Sequence, residues 1–307
     1  MITDIFDCII IGGGPAGLTA GIYASRAKLK TLLLEKMGCG GNSAITDWIE
    51  NYPGFPDGIS GIELAQKFEA QAKKFGLEIK FEEAKEIISN DKLKTVVCDG
   101  TRYTSKVLII SSGAQFKRAD VPGEKEFIGK GVSYCATCDA PFFKGKDVAV
   151  IGGGDSAIQE AIFLTRFVNK VTIVHRRDKL RATKILQEKI LANPKAEFAW
   201  NSVITRIVGK EKVESIEIKN VQTDKTSIIK ADGVFVFIGF VPNTSFVSNI
   251  LKLDEFGLIL TDDHMKTSVD GIYACGDVRK KVLYQVATAV SDGAIAGFEV
   301  REYIENL

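Results

Sequence analysis

One local pattern occurs twice in this chain and constrains its fold more than any other feature. An apolar strand meets a glycine-rich turn, a helical stretch follows and a second strand comes next, first in "DCIIIGGGPAGLTAGIYASRAKLKTLLLE" from Asp7 and again in "DVAVIGGGDSAIQEAIFLTRFVNKVTIVHRRD" from Asp147. Such a unit opens a Rossmann-like nucleotide-binding fold. The length of 307 residues suggests about two domains. We therefore predict an α/β protein with two dinucleotide-binding domains.

Composition argues against several classes of function. The formal net charge is +1, with no basic stripe or acidic tail, so we expect no nucleic-acid partner and no membrane binding. Apolar stretches such as "VFVFIGFV" from Val234 fall well short of the ~20 residues that span a bilayer. The N-terminus has no basic segment followed by an apolar signal, so we predict a cytoplasmic location.

Other segments give predictions of single elements. A helix is expected after Ser60, because Ser60 and Glu63 have the spacing of a capping box. The Asp99-Gly100 turn predicts a hairpin, and "KVLIISSG" from Lys106 is predicted as a further buried strand.

The first glycine turn has the residues that a dinucleotide requires. Gly12 permits the tight turn, Gly14 lets the backbone approach a pyrophosphate, and Gly17 allows the helix to pack closely on the sheet. Free N–H groups at the start of the helix then meet the phosphate charge. Glu35 ends the next strand, where its carboxylate can accept hydrogen bonds from a ribose. The alternative is a packing turn with a surface glutamate.

The second turn differs from the first at one informative position. Gly152, Gly154 and Ala157 form the accepted G-x-G-x-x-A variant. The spacing that reaches Glu35 in the first copy reaches His175 in the second. Three arginines accompany this histidine: Arg176, Arg177 and Arg181. Guanidinium groups bind a 2′-phosphate, which a carboxylate would repel, so we predict NADPH rather than NADH; the alternative is a solvated charged loop.

A glycine–aspartate pair near the C-terminus favours a flavin in the first copy. Gly276 and Asp277 follow a predicted strand and precede a long helical stretch, so the Asp277 carboxylate can reach a ribityl chain. A site for ribose hydroxyls and a separate site for a 2′-phosphate together predict FAD and NADPH as the two cofactors.

The segment "YCATCDAPFF" from Tyr134 contains Cys135 and Cys138, and three interpretations of the pair are open. A zinc site lacks a second ligand pair, so we expect no metal. Two buried small side chains are a plausible alternative. The spacing also suits a disulfide, which can exchange two electrons with a nearby flavin, and Asp139 is placed to handle a proton during thiol exchange. Pro141 should keep any helix after Cys135 short.

At this point the chain resembles the low-molecular-weight thioredoxin reductases of bacteria and archaea, a class II group of FAD- and NADPH-dependent pyridine nucleotide-disulfide oxidoreductases. The motifs stand in family order: "GGGPAG", "ENYPG", "CATCD", "GGGDSA", "HRRDKLRA", "PNT" and "GIYACGDV". The resemblance implies two Rossmann-like, three-layer β/β/α domains: an FAD domain of residues 1–116 and 246–307, and an inserted NADPH domain of residues 117–245 that carries the cysteines. It also implies a homodimer and a rotation between the domains.

The resemblance also implies the chemistry. Electrons pass from NADPH to FAD, then to the Cys135–Cys138 pair and on to the disulfide of thioredoxin. By this resemblance Cys138 is nearer the flavin, Cys135 attacks thioredoxin, and Asp139 serves as acid or base. The alternatives are a related flavoprotein with another thioredoxin-fold acceptor and a noncatalytic flavin-binding regulatory protein.

The family motifs extend both cofactor sites to further residues. The FAD site gains Pro15, Ala16, Lys36, Gly40, Gly41, Asn42, Asn51, Gly113, Gln285 and Val286. The NADPH site gains Gly153, Asp155, Ser156, Ile238 and Gly239. Three positions depart from the family pattern, since Asn42 replaces a glutamine, Cys39 a frequent proline and Tyr284 an arginine. We expect Cys39 to be an inert loop residue.

Overall fold

The chain forms two compact units, here called unit 1 and unit 2. The computed structural model describes residues 5–46, 49, 51–90 and 92–307, so Glu50 of the "ENYPG" motif lies outside the described residues. Unit 1 comprises Met1–Gln115 and Val241–Leu307, and unit 2 comprises Phe116–Phe240. The assignment of FAD to one domain and NADPH to the other, with boundaries after residues 116 and 245, stays a prediction.

The helices and strands follow one another along the chain in two sets. Up to the first boundary they are β1 (Ile5–Ile11), α1 (Pro15–Arg26), β2 (Thr31–Glu35), α2 (Gly41–Ala44), α3 (Gly61–Lys74), β3 (Glu78–Phe81), β4 (Glu86–Ser89), β5 (Lys94–Val97), β6 (Arg102–Ile110) and β7 (Ala114–Phe116). Beyond it they are β8 (Val132–Ser133), α4 (Ala136–Asp139), β9 (Asp147–Ile151), α5 (Asp155–Leu164), β10 (Lys170–Val174), α6 (Lys184–Leu191), β11 (Ala196–Ala199), β12 (Ser202–Gly209), β13 (Val213–Asn220), β14 (Thr226–Lys230), β15 (Gly233–Val236), β16 (Phe240–Pro242), β17 (Ile272–Ala274) and α7 (Val286–Glu305). In the described ranges no helix is long and apolar enough to cross a membrane.

Unit 1 is built on a mixed sheet of order β3-β2-β1-β6-β5-β4, with β17 also paired to β6. The pairs β1–β2, β1–β6, β2–β3 and β6–β17 are parallel, and β4–β5–β6 is antiparallel. Successive residues of a strand point to opposite faces. Ile10 and Leu33 accordingly belong to a buried cluster with α1, α3 and α7, whereas Ile9 and Leu32 belong to one with β4 and β5. Layers of helix, parallel sheet and antiparallel sheet result.

The prediction of two separate strands around Lys106 is wrong. The hairpin at Asp99-Gly100 does form, but its second strand continues as the single nine-residue strand β6. The first half of β6 pairs with β5 on one side, and β1 pairs with it from Thr104 to Ile110 on the other. Because β1 pairs with β6 continuously past Lys106, the second hairpin strand and the strand predicted from Lys106 form one strand.

Unit 2 repeats the arrangement with a fully parallel sheet of order β11-β10-β9-β15-β8 and an antiparallel sheet of order β12-β13-β14. Val150 and Ile173 lie in a buried cluster with α5 and α6, and Ala149 and Val174 lie in one with β12 and β13. The predicted fold class, two Rossmann-like α/β domains of three layers with one inserted in the other, is confirmed.

Two local predictions are also confirmed. The Ser60 hydroxyl caps α3 by accepting a hydrogen bond from the Glu63 N–H at 3.3 Å. The helix after Cys135 has only four residues and passes into the 3₁₀ turn Ala140–Phe143, which contains Pro141. A proline has no N–H to continue the α-helical ladder, so α4 stays short.

Candidate functional site

The first glycine turn joins β1 to α1 under tight steric limits. Gly12 has a φ of +108°, and a Cβ there would lie 2.3 Å from the carbonyl oxygen of Ser111. A Cβ at Gly17 would lie 1.9 Å from the carbonyl oxygen of Gly12. No atom of the described chain lies within 4 Å of a Cβ position at Gly14, and no side chain caps α1. The first turn of α1 therefore borders open space, which suits an anion at the helix N-terminus.

Glu35 lies at the end of β2 and contacts this turn. Its Oε2 accepts a hydrogen bond from the Gly13 N–H at 2.6 Å, and its Oε1 accepts one from the Met37 N–H at 3.2 Å. The carboxylate is therefore fixed beside the turn. Lys36 points elsewhere, because its ammonium forms an exposed ion pair with Glu83 at 2.7 Å.

The loop after β2 folds back over the glycine turn. The Gly40 N–H donates to the Gly13 carbonyl oxygen at 2.8 Å, and a Cβ at Gly41 would lie 3.4 Å from the Gly14 Cα. Both loop glycines have positive φ, +117° at Gly40 and +53° at Gly41. This approach of two backbones leaves little room for larger side chains.

Two side-chain amides of unit 1, those of Asn42 and Asn51, connect segments that are distant in the sequence. The Asn42 Nδ2 donates to the Ala114 carbonyl oxygen at 2.8 Å. The Asn51 Nδ2 donates to Gln285 Oε1 at 3.0 Å, just before α7 begins at Val286. These bonds bring together residues that the sequence places far apart.

Asp277 is the most exposed member of a cluster of charges that the sequence motif indicated only in part. Lys281 Nζ lies 3.1 Å from Asp277 Oδ1 and 3.4 Å from Asp292 Oδ2. Arg279 lies 3.3 Å from Asp292, whose Oδ2 also accepts the Gly276 N–H at 3.1 Å. Despite the nearby ammonium, the buried Asp277 Oδ1 makes no hydrogen bond of good geometry with the described residues. In the sequence, Asp292 is indicated only by being a carboxylate on the otherwise apolar, buried face of α7.

The second glycine turn joins β9 to α5 under similar limits. Gly152 has a φ of +146°, and a Cβ there would lie 2.4 Å from the Phe237 carbonyl oxygen and 2.8 Å from the Ala157 Cβ. Around the Cβ position of Gly154, the nearest described atom is the Arg181 Nη2 at 3.8 Å. The start of α5 is thus open apart from one guanidinium group.

His175 and the arginines surround this second turn. The buried His175 ring packs on Gly153, where a Cβ would lie 2.4 Å from Nδ1, and the Arg181 N–H donates to the Gly153 carbonyl oxygen at 2.7 Å. Burial first, and then the charge of Arg181, hold the pKa of His175 below its ordinary value of 6.5. Its Nε2 is buried without a hydrogen-bond partner among the described residues. Arg176 and Arg177 are exposed, and neither they nor Arg181 form an ion pair within the described ranges.

The remaining predicted residues of unit 2 lie at the ends of strands and helices. Asp155 Oδ1 accepts the Thr183 N–H at 2.6 Å and so ties the start of α5 to the start of α6. The Gly239 carbonyl oxygen accepts the Lys117 N–H at 2.9 Å, and Gly239 has a φ of +117°. Two further predicted residues are exposed: Ser156 and Ile238.

Cys135 and Cys138 form a disulfide, with Cα atoms 5.4 Å apart. Cys135 is the N-cap of α4, and its Sγ accepts the Cys138 N–H at 3.2 Å. Both cysteines are half-buried. Asp139 ends α4 and its N–H donates to the Cys135 carbonyl oxygen at 3.2 Å. A half-buried disulfide at the start of a helix is the oxidised form of a two-electron couple.

The other cysteines are free thiols. Cys8, Cys98 and Cys275 are buried, and Cys39 is half-buried in the loop beside Gly13. Burial, followed by the carboxylate charges of Glu69 and Glu35, raises the pKa of Cys39 to about 12. A thiol with a raised pKa is protonated at neutral pH and is a weak nucleophile, so the expectation that Cys39 is inert stays a prediction.

Comparison with known proteins agrees with this geometry. Residues 6–293 match the family described as pyridine nucleotide-disulphide oxidoreductase. A thioredoxin reductase of Bacillus subtilis (strain 168) is 48% identical over 304 residues, covering 99% of this chain and 96% of that protein. The crystal structure of thioredoxin reductase from Streptococcus pyogenes MGAS5005 matches with a TM-score of 0.94, 46% identity and 99% of both chains.

A more distant solved structure agrees as well. Thioredoxin reductase from Giardia duodenalis matches with a TM-score of 0.92 and 38% identity, covering 99% of this chain and 100% of that one. Identity of this extent over nearly the whole length, together with a disulfide at the CxxC and two glycine turns, establishes the family. The chain belongs to the pyridine nucleotide-disulphide oxidoreductases and, within them, to the low-molecular-weight thioredoxin reductases.

Proposed function

We propose that this protein is an NADPH-dependent thioredoxin-disulfide reductase that uses FAD, works as a homodimer and acts in the cytoplasm. The observation that carries the proposal is the Cys135–Cys138 disulfide in a chain that also has two differently charged dinucleotide turns. Relatives named thioredoxin reductase support thioredoxin as the acceptor, because their likeness extends over 99% of this chain.

The residues of unit 1 fit FAD. The open space at Gly14 and the uncapped start of α1 suit a pyrophosphate, and Glu35 holds its carboxylate beside the turn. The buried Asp277 Oδ1 accepts no well-placed hydrogen bond from the described residues, so it is available to accept one from a ribityl hydroxyl. When bound, the flavin supplies two-electron exchange between a nicotinamide and a disulfide.

The residues of unit 2 fit NADPH. Three exposed guanidinium groups, which form no ion pair with the described residues, belong to Arg176, Arg177 and Arg181, where a 2′-phosphate needs donors. The His175 ring packs against Gly153 of the turn, and its lowered pKa favours the neutral form, so it adds no positive charge to that of the arginines. Gly154 leaves the start of α5 accessible to the pyrophosphate.

The cysteines pass electrons on by thiol–disulfide exchange. The Cys135 thiolate attacks one sulfur of the acceptor disulfide, which forms a mixed disulfide and releases the second acceptor sulfur as a thiolate. The Cys138 thiolate then attacks the Cys135 sulfur, which restores the Cys135–Cys138 disulfide and releases the reduced acceptor. Asp139 takes the proton of the Cys138 thiol and gives it to a leaving sulfur, and water supplies the second proton, so two electrons and two protons reach the acceptor.

Anaerobic titration of the purified protein tests this proposal. NADPH should bleach the flavin at much lower concentrations than NADH, and oxidised thioredoxin should restore the colour. The Cys138→Ser variant should still be bleached by NADPH but lose thioredoxin reduction, whereas Cys39→Ser should keep both. Normal thioredoxin reduction by Cys138→Ser would contradict the mechanism, and a flavin that NADPH does not bleach would favour a noncatalytic protein.

A further inference from the structure

Lys281 is a buried lysine that the proposed electron transfer does not use. It follows the 3₁₀ turn Gly276–Val278 by three residues, and only 6% of its side chain is exposed. The neighbouring Lys280 is exposed to solvent. Burial of an ammonium group costs free energy unless opposite charges compensate it, so the partners of Lys281 indicate what this lysine does.

Two carboxylates lie beside the Lys281 ammonium. Its Nζ is 3.1 Å from Asp277 Oδ1 and 3.4 Å from Asp292 Oδ2. Only the second of these contacts has hydrogen-bond geometry, and Nζ also donates to the Thr288 hydroxyl oxygen at 3.4 Å. The ammonium lies over the Tyr284 ring as well, 5.5 Å from its centroid. The ammonium protons are thus directed to α7, whereas Asp277 receives the positive charge alone.

Asp292 does not depend on Lys281 for a countercharge. Its Oδ1 lies 3.3 Å from the Arg279 guanidinium, and its Oδ2 also accepts the Gly276 N–H at 3.1 Å. Among the described residues, Lys281 is the only basic side chain within 4 Å of the Asp277 carboxylate. Loss of the Lys281 charge would therefore leave Asp292 paired and Asp277 without a countercharge.

The Asp277 carboxylate keeps one acceptor atom open beside this charge. Its Oδ1 is buried and accepts no hydrogen bond of good geometry from the described residues. A buried anionic oxygen is costly unless charge or hydrogen bonds compensate it. The ammonium offsets the charge but does not occupy Oδ1 with a directed hydrogen bond. A hydroxyl group of a ligand can therefore donate to this oxygen without displacing a partner.

Lys281 also joins two segments that carry predicted flavin-site residues. Asp277 lies on the 3₁₀ turn, and the Thr288 hydroxyl oxygen accepts the Gln285 N–H at 3.2 Å in the capping box of α7. Gln285 Oε1 in turn accepts a hydrogen bond from the Asn51 amide at 3.0 Å. One ammonium group therefore connects the turn that holds Asp277 to the start of α7.

We propose that Lys281 is a positioning residue for the flavin, which balances the charge of the Asp277 carboxylate without occupying Oδ1 and ties that carboxylate to the start of α7. A ribityl hydroxyl then meets a fixed, charge-compensated acceptor that needs little rearrangement on binding. This inference rests on the proposed function only in taking FAD as the ligand of unit 1.

Fluorescence titration of the full-length apoprotein with FAD tests this inference through a double-mutant cycle. Lys281→Met removes the charge and should raise the dissociation constant for FAD about tenfold, because it weakens a charge-assisted hydrogen bond. Asp277→Asn should raise it by about the same factor. The double variant should bind FAD only about twofold more weakly than Asp277→Asn, because no carboxylate charge remains for Lys281 to balance.

Lys280→Met is the matched control, since it removes the same charge from an exposed side chain one position earlier. Its dissociation constant for FAD should stay within about twofold of the wild-type value, because exposed charges contribute little. Urea denaturation shows whether each apoprotein folds. If Lys281→Met does not fold, Lys281→Gln takes its place in the same cycle, because glutamine keeps a donor for Thr288 and Asp292.

An unchanged dissociation constant in Lys281→Met, or an equal loss of affinity in Lys280→Met, would overturn the inference. Equal losses from Lys281→Met with and without the Asp277 carboxylate would also overturn it, because a merely structural role acts on both backgrounds alike. A wild-type apoprotein that binds no FAD would instead contradict the proposed function, and this inference would fall with it.

Discussion

The two glycine turns share a backbone geometry and differ in their chemical surroundings. Gly12 and Gly152 have φ values of +108° and +146°, and Gly14 and Gly154 both leave the start of a helix open. Each turn thus meets the steric requirements for a pyrophosphate. The backbone of each turn is thus compatible with a dinucleotide, but it does not specify which dinucleotide binds.

The end of the following strand supplies the difference. In unit 1 the Glu35 carboxylate accepts the Gly13 N–H at 2.6 Å. In unit 2 the same place holds the His175 ring against Gly153, followed by three arginines. Under the proposed function, the negative group selects ribose hydroxyls and the positive cluster selects a 2′-phosphate, so a change of side chains would fit one fold to two cofactors.

The largest expected effect comes from the shared backbone geometry. Gly12→Ala adds a Cβ 2.3 Å from the Ser111 carbonyl oxygen at a φ of +108°, and should lower the free energy of unfolding by roughly 3 kcal/mol and abolish flavin binding. Gly14→Ala, which meets no described atom within 4 Å, should leave the free energy of unfolding almost unchanged. Urea denaturation measures both, and equal stabilities would show that Gly12 is not sterically required.

The next effect concerns the charge of the second site. Replacing Arg176, Arg177 and Arg181 together by alanine should raise the KM for NADPH about a thousandfold and leave that for NADH nearly unchanged, because three charge-assisted hydrogen bonds at about 1.5 kcal/mol each are lost. Lys179→Ala, which removes a positive charge from the same loop, is the control and should have little effect. Parallel losses with NADH and NADPH would argue against a 2′-phosphate site.

A smaller effect is expected at the first site. Glu35→Gln keeps the shape of the side chain but removes the negative charge of the carboxylate that accepts the Gly13 N–H hydrogen bond. The affinity for FAD should fall about tenfold, since one charge-assisted hydrogen bond weakens by about 1.4 kcal/mol. Fluorescence titration of the apoprotein gives the dissociation constant. Glu78→Gln on neighbouring β3 should bind FAD normally, and a similar loss there would point to a general charge effect.

The smallest effect is a difference in pH dependence between the two histidines. The pKa of buried His175 is lowered, so protonation is easier in the unfolded chain and the free energy of unfolding should fall as the pH decreases below about 6.5. His175→Gln should remove this loss of stability. The pKa of exposed His264 is raised by a hydrogen bond to Glu299, so its contribution is present below pH 6.5 and lost at higher pH.

Urea denaturation between pH 5 and pH 8 separates the two histidines. His175→Gln should flatten the acid side of the stability profile, and His264→Gln should steepen it slightly. Effects of the same sign would show that the environment of His175 does not oppose its charge.

Local sequence determined both glycine turns, the caps and the short cysteine helix. Each depends on residues within one or two turns of chain: a glycine where φ must be positive, Ser60 three residues before Glu63, and a proline after Cys138. Short spacings of this kind carry their own geometry, so they can be read without knowing what lies across the molecule.

Only the tertiary structure decided the rest. That β6 is one strand follows from its pairing with β1, and the contacts of Asp292 follow from α7 meeting the Gly276 turn. The Asp292 carboxylate belongs to no recognisable spacing, because its partners Gly276, Arg279 and Lys281 lie outside α7. Burial gives an ordinary helical carboxylate such as Asp292 a fixed set of partners. Burial is a property of packing rather than of local sequence.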